Sequence, residues 1–145
     1  MVEGELGFIK NKMNYLLIKQ IFDYVFSILL IFILFPLIIL ISILIKIESK
    51  GPIFYKDKRT GKHFSFFYIY KFRTMYHNAS KEVMTTSVND SRITKVGYFL
   101  RKYKIDEIAQ FLNVIMGDMS IIGPRPELPF YTSKYSENEK IILNV

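Results

Sequence analysis

Asp106 and Glu107 are adjacent carboxylates in a chain rich in basic residues. At the start of a helix such a pair is ordinarily a surface feature favoured by the helix dipole. The cations elsewhere in the sequence give it a second reading. Arg101 comes shortly before it, and a compact fold would bring Lys71, Arg73 and Arg125 in from other segments. Carboxylates among several cations suit phosphoryl chemistry. Guanidinium forks match phosphate oxygens, a divalent ion bridges a carboxylate to a diphosphate, and together they offset the charge that repels an anionic nucleophile. Asp106, Gln110 and Asn113 fall at i, i+4 and i+7, one polar stripe of a helix with Glu107 beside it.

The remaining cations differ in how firmly the backbone holds them. Lys56, Lys58, Arg59 and Lys62 read mainly as a solvated basic face attracted to anionic lipid. Arg125 sits in Gly123-Pro124-Arg125-Pro126-Glu127, where a following proline restricts both Gly123 and Arg125. A stiff backbone around one arginine implies a positioned side chain. The formal net charge of +7 calls for an anionic partner, which nucleic acid, lipid headgroups or phosphorylated substrates would all satisfy. Cysteine is absent, which excludes disulfides and thiolate metal sites, and His63 and His77 have no partner at ligand spacing.

These residues need elements to position them. Tyr24 to Ile45 is uncharged, bounded by Asp23 and Lys46, and long enough to embed in a membrane. Lys46, Glu48 and Lys50 follow it where a cleaved signal peptide would have small residues. Pro36 near its middle predicts a kink or break into two arms. Positive charge flanks both sides, so an ordinary crossing and a segment that enters and leaves one leaflet are both open. Ile53 to Tyr55 and Phe64 to Phe72 predict a β-hairpin around a Thr60-Gly61 turn, and a period of two places Lys71 and Arg73 on one face. The aromatic run there packs on helices or lipid rather than on bases, given the apolar segment next to it. His77 to Asn89 reads as a polar loop near the substrate entrance. Ile93, Val96 and Leu100, then Ile105, Ile108, Leu112 and Ile115, predict two short amphipathic helices, the second ended by Gly117.

The order of these motifs resembles the bacterial sugar transferases, the monotopic phosphoglycosyl transferases. The resemblance is carried by Gly51-Pro52-Ile53-Phe54, Lys58-Arg59-Thr60-Gly61, Tyr70-Lys71-Phe72-Arg73-Thr74-Met75, and Arg92 to Gly97 with Leu100-Arg101. Its most specific part is Asp106-Glu107, Gln110, Asn113-Val114, Gly117-Asp118-Met119-Ser120 and Gly123 to Glu127. It implies an α+β, mainly helical fold with a re-entrant N-terminal membrane helix broken near Pro36, and a small β-hairpin and amphipathic helices at the cytoplasmic face. Residues 1–18 would precede a transferase domain over 19–145, with the membrane helix near 22–46 and the catalytic part near 51–145.

The implied reaction moves a sugar 1-phosphate from a UDP-sugar to a polyprenol phosphate, releasing UMP through a covalent intermediate on Asp106. Glu107 would hold magnesium with Asp106 or handle protons. Lys71, Arg73, Arg101, Arg125 and Arg59 would bind phosphate or support the site, as would Gln110, Asn113, Asp118 and Glu127. The partners would be the two substrates, membrane lipid and downstream glycosyltransferases, with no nucleic acid, at the inner membrane of a bacterium and facing the cytoplasm, feeding a surface glycan. The chain departs from the family pattern at Phe35, often serine, and Ala109, commonly proline, and it stops at Val145 where relatives continue through a PGITG-like segment. Read as a shortened homologue, it has an alternative role as an inactive membrane protein that binds lipid phosphates or a partner transferase.

Overall fold

The computed structural model describes residues 2–77, 90–140 and 143, so the polar loop expected over 77–89 lies, apart from His77, outside the described residues. One helix, α1 (Val2–Glu48), dominates the N-terminal part. Its stretch Asn14–Glu48 contains an 18-residue window with a mean hydropathy of 3.4, apolar enough to cross a membrane, and only 11% of that window is buried. A core helix of a soluble protein would be mostly covered. Here Phe32 and Ile33 are 79% and 62% exposed, an apolar belt that requires lipid as its solvent. The buried positions Asp23, Ser27, Ile41 and Ile45 fall on one face at helical spacing, the stripe that meets the rest of the chain.

The break expected at Pro36 is corrected here: the helix runs through the proline without interruption. Pro36 lacks the N–H that would pair with the Phe32 carbonyl, but the turns on either side keep their ladder. In an apolar medium each further open backbone group would cost several kcal/mol.

Two strands follow, β1 (Phe54–Thr60) and β2 (Phe66–Phe72), antiparallel from Phe54↔Phe72 to Thr60↔Phe66. They are closed by a short 3-10 turn at Lys62–Phe64 and a Gly61 N–H to Ser65 carbonyl bond of 2.8 Å. Then come α2 (Lys95–Lys102), a 3-10 helix over Ile105–Gln110, α3 (Phe111–Ile115), α4 (Pro129–Thr132) and α5 (Glu137–Lys140). The single amphipathic helix expected from Ile105 to Ile115 is thus a 3-10 turn continued by a short α-helix. It is entered through Lys104 in the left-handed region (φ 58°).

The core joins these elements. Ile41 and Ile45 of α1, Phe72 of β2 and Leu100 of α2 form one buried cluster, against which Val96, Ile105 and Ile108 pack. The 3-10 helix is therefore seated on β2 and α2, at the cluster that the C-terminal half of α1 completes. The last residue of α1 caps the start of α2. Glu48 accepts the Lys95 and Val96 N–H groups at 2.6 and 2.9 Å, and the Thr94 side chain accepts the Gly97 N–H at 2.9 Å. Gly97 is needed for closeness, since a Cβ there would collide with the Thr74 carbonyl. Gly97→Ala is expected to lower the stability by about 2 kcal/mol by forcing α2 off the 72–76 segment, read as a lower thermal midpoint in detergent.

Candidate active site

The geometry centres on Glu107, the second residue of the acidic pair. Its Oε1 accepts from Lys71 Nζ at 2.8 Å and lies 3.6 Å from Arg125 Nη2, so β2, the 3-10 helix and the 123–127 segment converge on one carboxylate. Asp106 is 9% exposed, and its Oδ1 is buried without a hydrogen-bond partner among the described residues. A buried, uncommitted carboxylate oxygen beside a cation cluster is an anomaly to explain.

The two carboxyls are driven in opposite directions. Burial pushes Asp106 above the usual carboxylate range, opposed by Lys71, reinforced by the Glu107 charge, and opposed again by a backbone hydrogen bond and Arg101. Glu107 also feels burial, which raises it. The Lys71 hydrogen bond and charge, with Arg125 and Lys104, outweigh that and hold it below its ordinary value. Adjacent acids separated in this way take different protonation roles.

Of the expected phosphate-binding cations, Lys71 and Arg125 reach the pair. Arg101 donates from Nε to Thr74 Oγ1 at 2.8 Å while its charge acts on Asp106. Arg73 does not join them. Its guanidinium donates to the Ser49 and Lys50 carbonyls at 2.7 and 3.1 Å and to Ser49 Oγ at 2.8 Å, capping the end of α1. The side-by-side display of Lys71 and Arg73 fails because β2 ends at Phe72 and the open carbonyls of α1 attract the next cation. Gly51, at φ +123°, permits this, since a Cβ would strike the Arg73 guanidinium. Arg59 pairs with Asp57 at 2.6 Å, so its charge is largely spent within β1.

The supporting residues act mostly through the backbone. Asn113 is 0% exposed, accepts the Tyr70 N–H at 2.9 Å and donates to the Tyr68 carbonyl at 2.7 Å, which fills the outer edge of β2. The polar stripe is therefore turned inward at Asp106 and Asn113 and Leu112 is 37% exposed, while Ile105 and Ile108 pack on the core as the amphipathic reading places them. Asp118 accepts from Asn113 at 3.2 Å, Glu127 contributes its carbonyl to the Thr60 N–H at 2.9 Å, and Gln110 is half-buried where the 3-10 helix ends.

The sequence reading missed Tyr55 and Asp57. Tyr55 pairs with Lys71 and Asp57 with Ile69, on the face of the hairpin that carries Lys71. The Tyr55 phenol is raised by burial and by Asp57, against Arg59. Only the register Tyr55↔Lys71 could have exposed them. A cavity of about 440 Å³ lies alongside, between α1 and the 117–126 segment, and Arg125 borders both it and Glu107.

Asp106 and Glu107, adjacent carboxylates of which the first has a buried oxygen without a hydrogen-bond partner among the described residues, would be the residues to hold a divalent ion. Among the described residues no group of three His, Cys, Asp or Glu forms a closed protein site.

Known proteins share this arrangement of sequence. A Bacillus subtilis protein provisionally named undecaprenyl-phosphate N-acetylgalactosaminyl 1-phosphate transferase is 43% identical over 127 residues, covering 87% of this chain and 70% of its own length. The UDP-N-acetylgalactosamine-undecaprenyl-phosphate N-acetylgalactosaminephosphotransferase of Aeromonas hydrophila is 39% identical over 134 residues, which cover 92% of this chain and 32% of that protein. The UDP-glucose:undecaprenyl-phosphate glucose-1-phosphate transferase of Escherichia coli is 36% identical over 122 residues, 83% of this chain and 26% of that one. The chain thus spans about a third or less of the last two. The bacterial sugar transferase family matches residues 14–144, which include every residue of the acidic pair, its cations and the hairpin, and the chain belongs to that family.

Proposed function

We propose that the chain transfers a sugar 1-phosphate from a UDP-sugar to a polyprenol phosphate. The observation that carries this reading is the buried Asp106 oxygen without a partner, beside a Glu107 clamped by Lys71 and Arg125. A carboxylate oxygen of Asp106 attacks the phosphorus that bears the sugar, the bond to the UMP oxygen breaks, and UMP leaves with the electron pair. An oxygen of the lipid phosphate then attacks the same phosphorus, and the acyl-phosphate bond breaks to restore the Asp106 carboxylate. Lys71, Arg101 and Arg125 offset the charge on the diphosphate as the anion approaches. Asp106 and Glu107 would hold magnesium, which when bound supplies charge neutralisation on the diphosphate. Glu107, kept ionised by Lys71, holds that lysine and Arg125 in place.

The re-entrant topology belongs to this reading. Lys19 donates to the Ile122 carbonyl at 2.7 Å and Glu48 caps α2, so both ends of the apolar stretch are tied to one body. A segment that enters and leaves the same leaflet satisfies both ties. Cysteines placed at Lys12 and Lys50 in this cysteine-free chain should both resist an impermeant maleimide applied outside intact cells. Labelling of one only would mean a crossing.

The deciding assay is UMP release in nanodiscs with magnesium, polyprenol phosphate and a panel of UDP-sugars. Turnover with one sugar supports the reaction and names the donor. Silence across the panel, with an active relative alongside, would favour a lipid-phosphate-binding homologue. Where magnesium enters with the donor, the acid limb of kcat/KM reports Asp106 in the metal-free enzyme and should lie above the ordinary aspartate value of about 4, because Asp106 attacks only when ionised and burial raises it. Lys71→Met removes a charge that lowers Asp106, so the limb should move to higher pH as the rate falls. An unmoved limb would separate Lys71 from the titrating group.

A further inference from the structure

The Arg125 side chain is 75% exposed, so little packing fixes it, yet it reaches Glu107. Its position must come from its backbone. The segment that carries it is held on both sides. Downstream, the Glu127 carbonyl pairs with the Thr60 N–H of β1. Upstream, Ser120 Oγ donates to Asp23 Oδ2 at 2.6 Å, and Lys19 Nζ donates to the Ile122 carbonyl at 2.7 Å. Lys19 and Asp23 are one turn apart on α1, and Asp23 is 6% exposed. Ser120 Oγ also lies 2.9 Å from the Ile122 carbonyl, and its one proton favours the shorter carboxylate contact. Gly123-Pro124-Arg125-Pro126 is thus a stiff bridge between an anchor on the membrane helix and an anchor on the hairpin.

We infer that Asp23 is a positioning residue for the transferase reaction: with Lys19 it latches Ser120 and Ile122 to α1 and thereby sets where Arg125 stands. This rests on the reaction proposed above. It ties the seat of α1 to an arginine at the reacting phosphate, and it gives a polar residue at the edge of an apolar helix a purpose.

The test uses the full chain in nanodiscs. Asp23→Ala should lower kcat/KM for the donor on the order of 10- to 100-fold, as small misplacements of catalytic groups do, while Asp23→Asn, which still accepts from Ser120, retains most activity. In the Arg125→Ala background the same Asp23→Ala change should cost less than about 2-fold, because the group it positions is gone. Undiminished loss in that background would overturn the inference. A second readout needs no turnover. A nitroxide at Ile122→Cys, whose backbone carbonyl is kept, should gain mobility with Asp23→Ala and not with Asp23→Asn. An unchanged line shape would overturn the latch even if the chain proves inactive, whereas a mobile label in an inactive chain would leave the latch standing and refute only the proposed reaction.

Discussion

Asp106→Asn is expected to reduce UMP release by roughly four orders of magnitude or more, the scale seen when a covalent nucleophile is removed. Asparagine has nearly the same shape and, at a site with an uncommitted buried oxygen, loses no hydrogen bond to that atom. The fold should therefore survive, with a thermal midpoint close to that of the parent chain. The second measurement is a trapping experiment: donor labelled in the sugar, without acceptor, should label the parent chain in a form cleaved by hydroxylamine and leave the variant unlabelled. Equal labelling of both would move the nucleophile elsewhere. Glu107→Gln gives the contrast. It keeps the nucleophile but loosens Lys71 and Arg125, so a smaller loss of about 10²-fold is expected, with labelling preserved though slowed.

What the sequence made legible follows from the range of the forces involved. The apolar helix, the hairpin and the amphipathic α2 are local patterns and each is present, although α1 begins well before the apolar run and β1 continues past Tyr55 to Thr60. The acidic pair was recognisable by its neighbours in the chain. The strand pattern misplaces Arg73 because its partner is the end of α1, which that pattern does not encode. The i, i+4, i+7 spacing puts Asn113 on a polar stripe, yet it is fully buried. Its partners are backbone groups of β2, more than forty residues away, and side-chain periodicity carries no trace of an unpaired strand edge. The Asp23–Ser120 contact joins positions 97 apart, and in the sequence Asp23 marks only the boundary of the apolar run.

These long-range polar contacts share a geometry. Each satisfies an open backbone or carboxylate group of one element with a side chain from another: Arg73 on α1, Glu48 on α2, Asn113 on β2. The buried hydrophobic cluster is small, Ile41, Ile45, Phe72 and Leu100, because most of α1 is turned toward lipid. With a limited core, the orientation of the elements depends on polar groups that must find partners. Lys71 stands opposite Glu107 because β2 is held on one edge by β1 and on the other by the Asn113 amide.

Removing that amide is therefore the severest structural test. Asn113→Ala leaves the Tyr70 N–H and the Tyr68 carbonyl without their partner at a position that is 0% exposed. Each orphaned buried group costs about 1–3 kcal/mol, so a loss of about 3–5 kcal/mol is expected, read as a midpoint lowered by about 10 °C in a chain of this size. Asn113→Asp separates the two bonds. The carboxylate still accepts from Tyr70 but cannot donate to Tyr68, and it faces Asp118 as a like charge, so it should fall no less far than alanine. A midpoint within about 2 °C of the parent for either variant would show that water or a relaxed backbone replaces the amide. Lys71 lies one residue beyond Tyr70, so release of this edge should also free it from Glu107, and donor turnover should fall at temperatures where the chain is still folded.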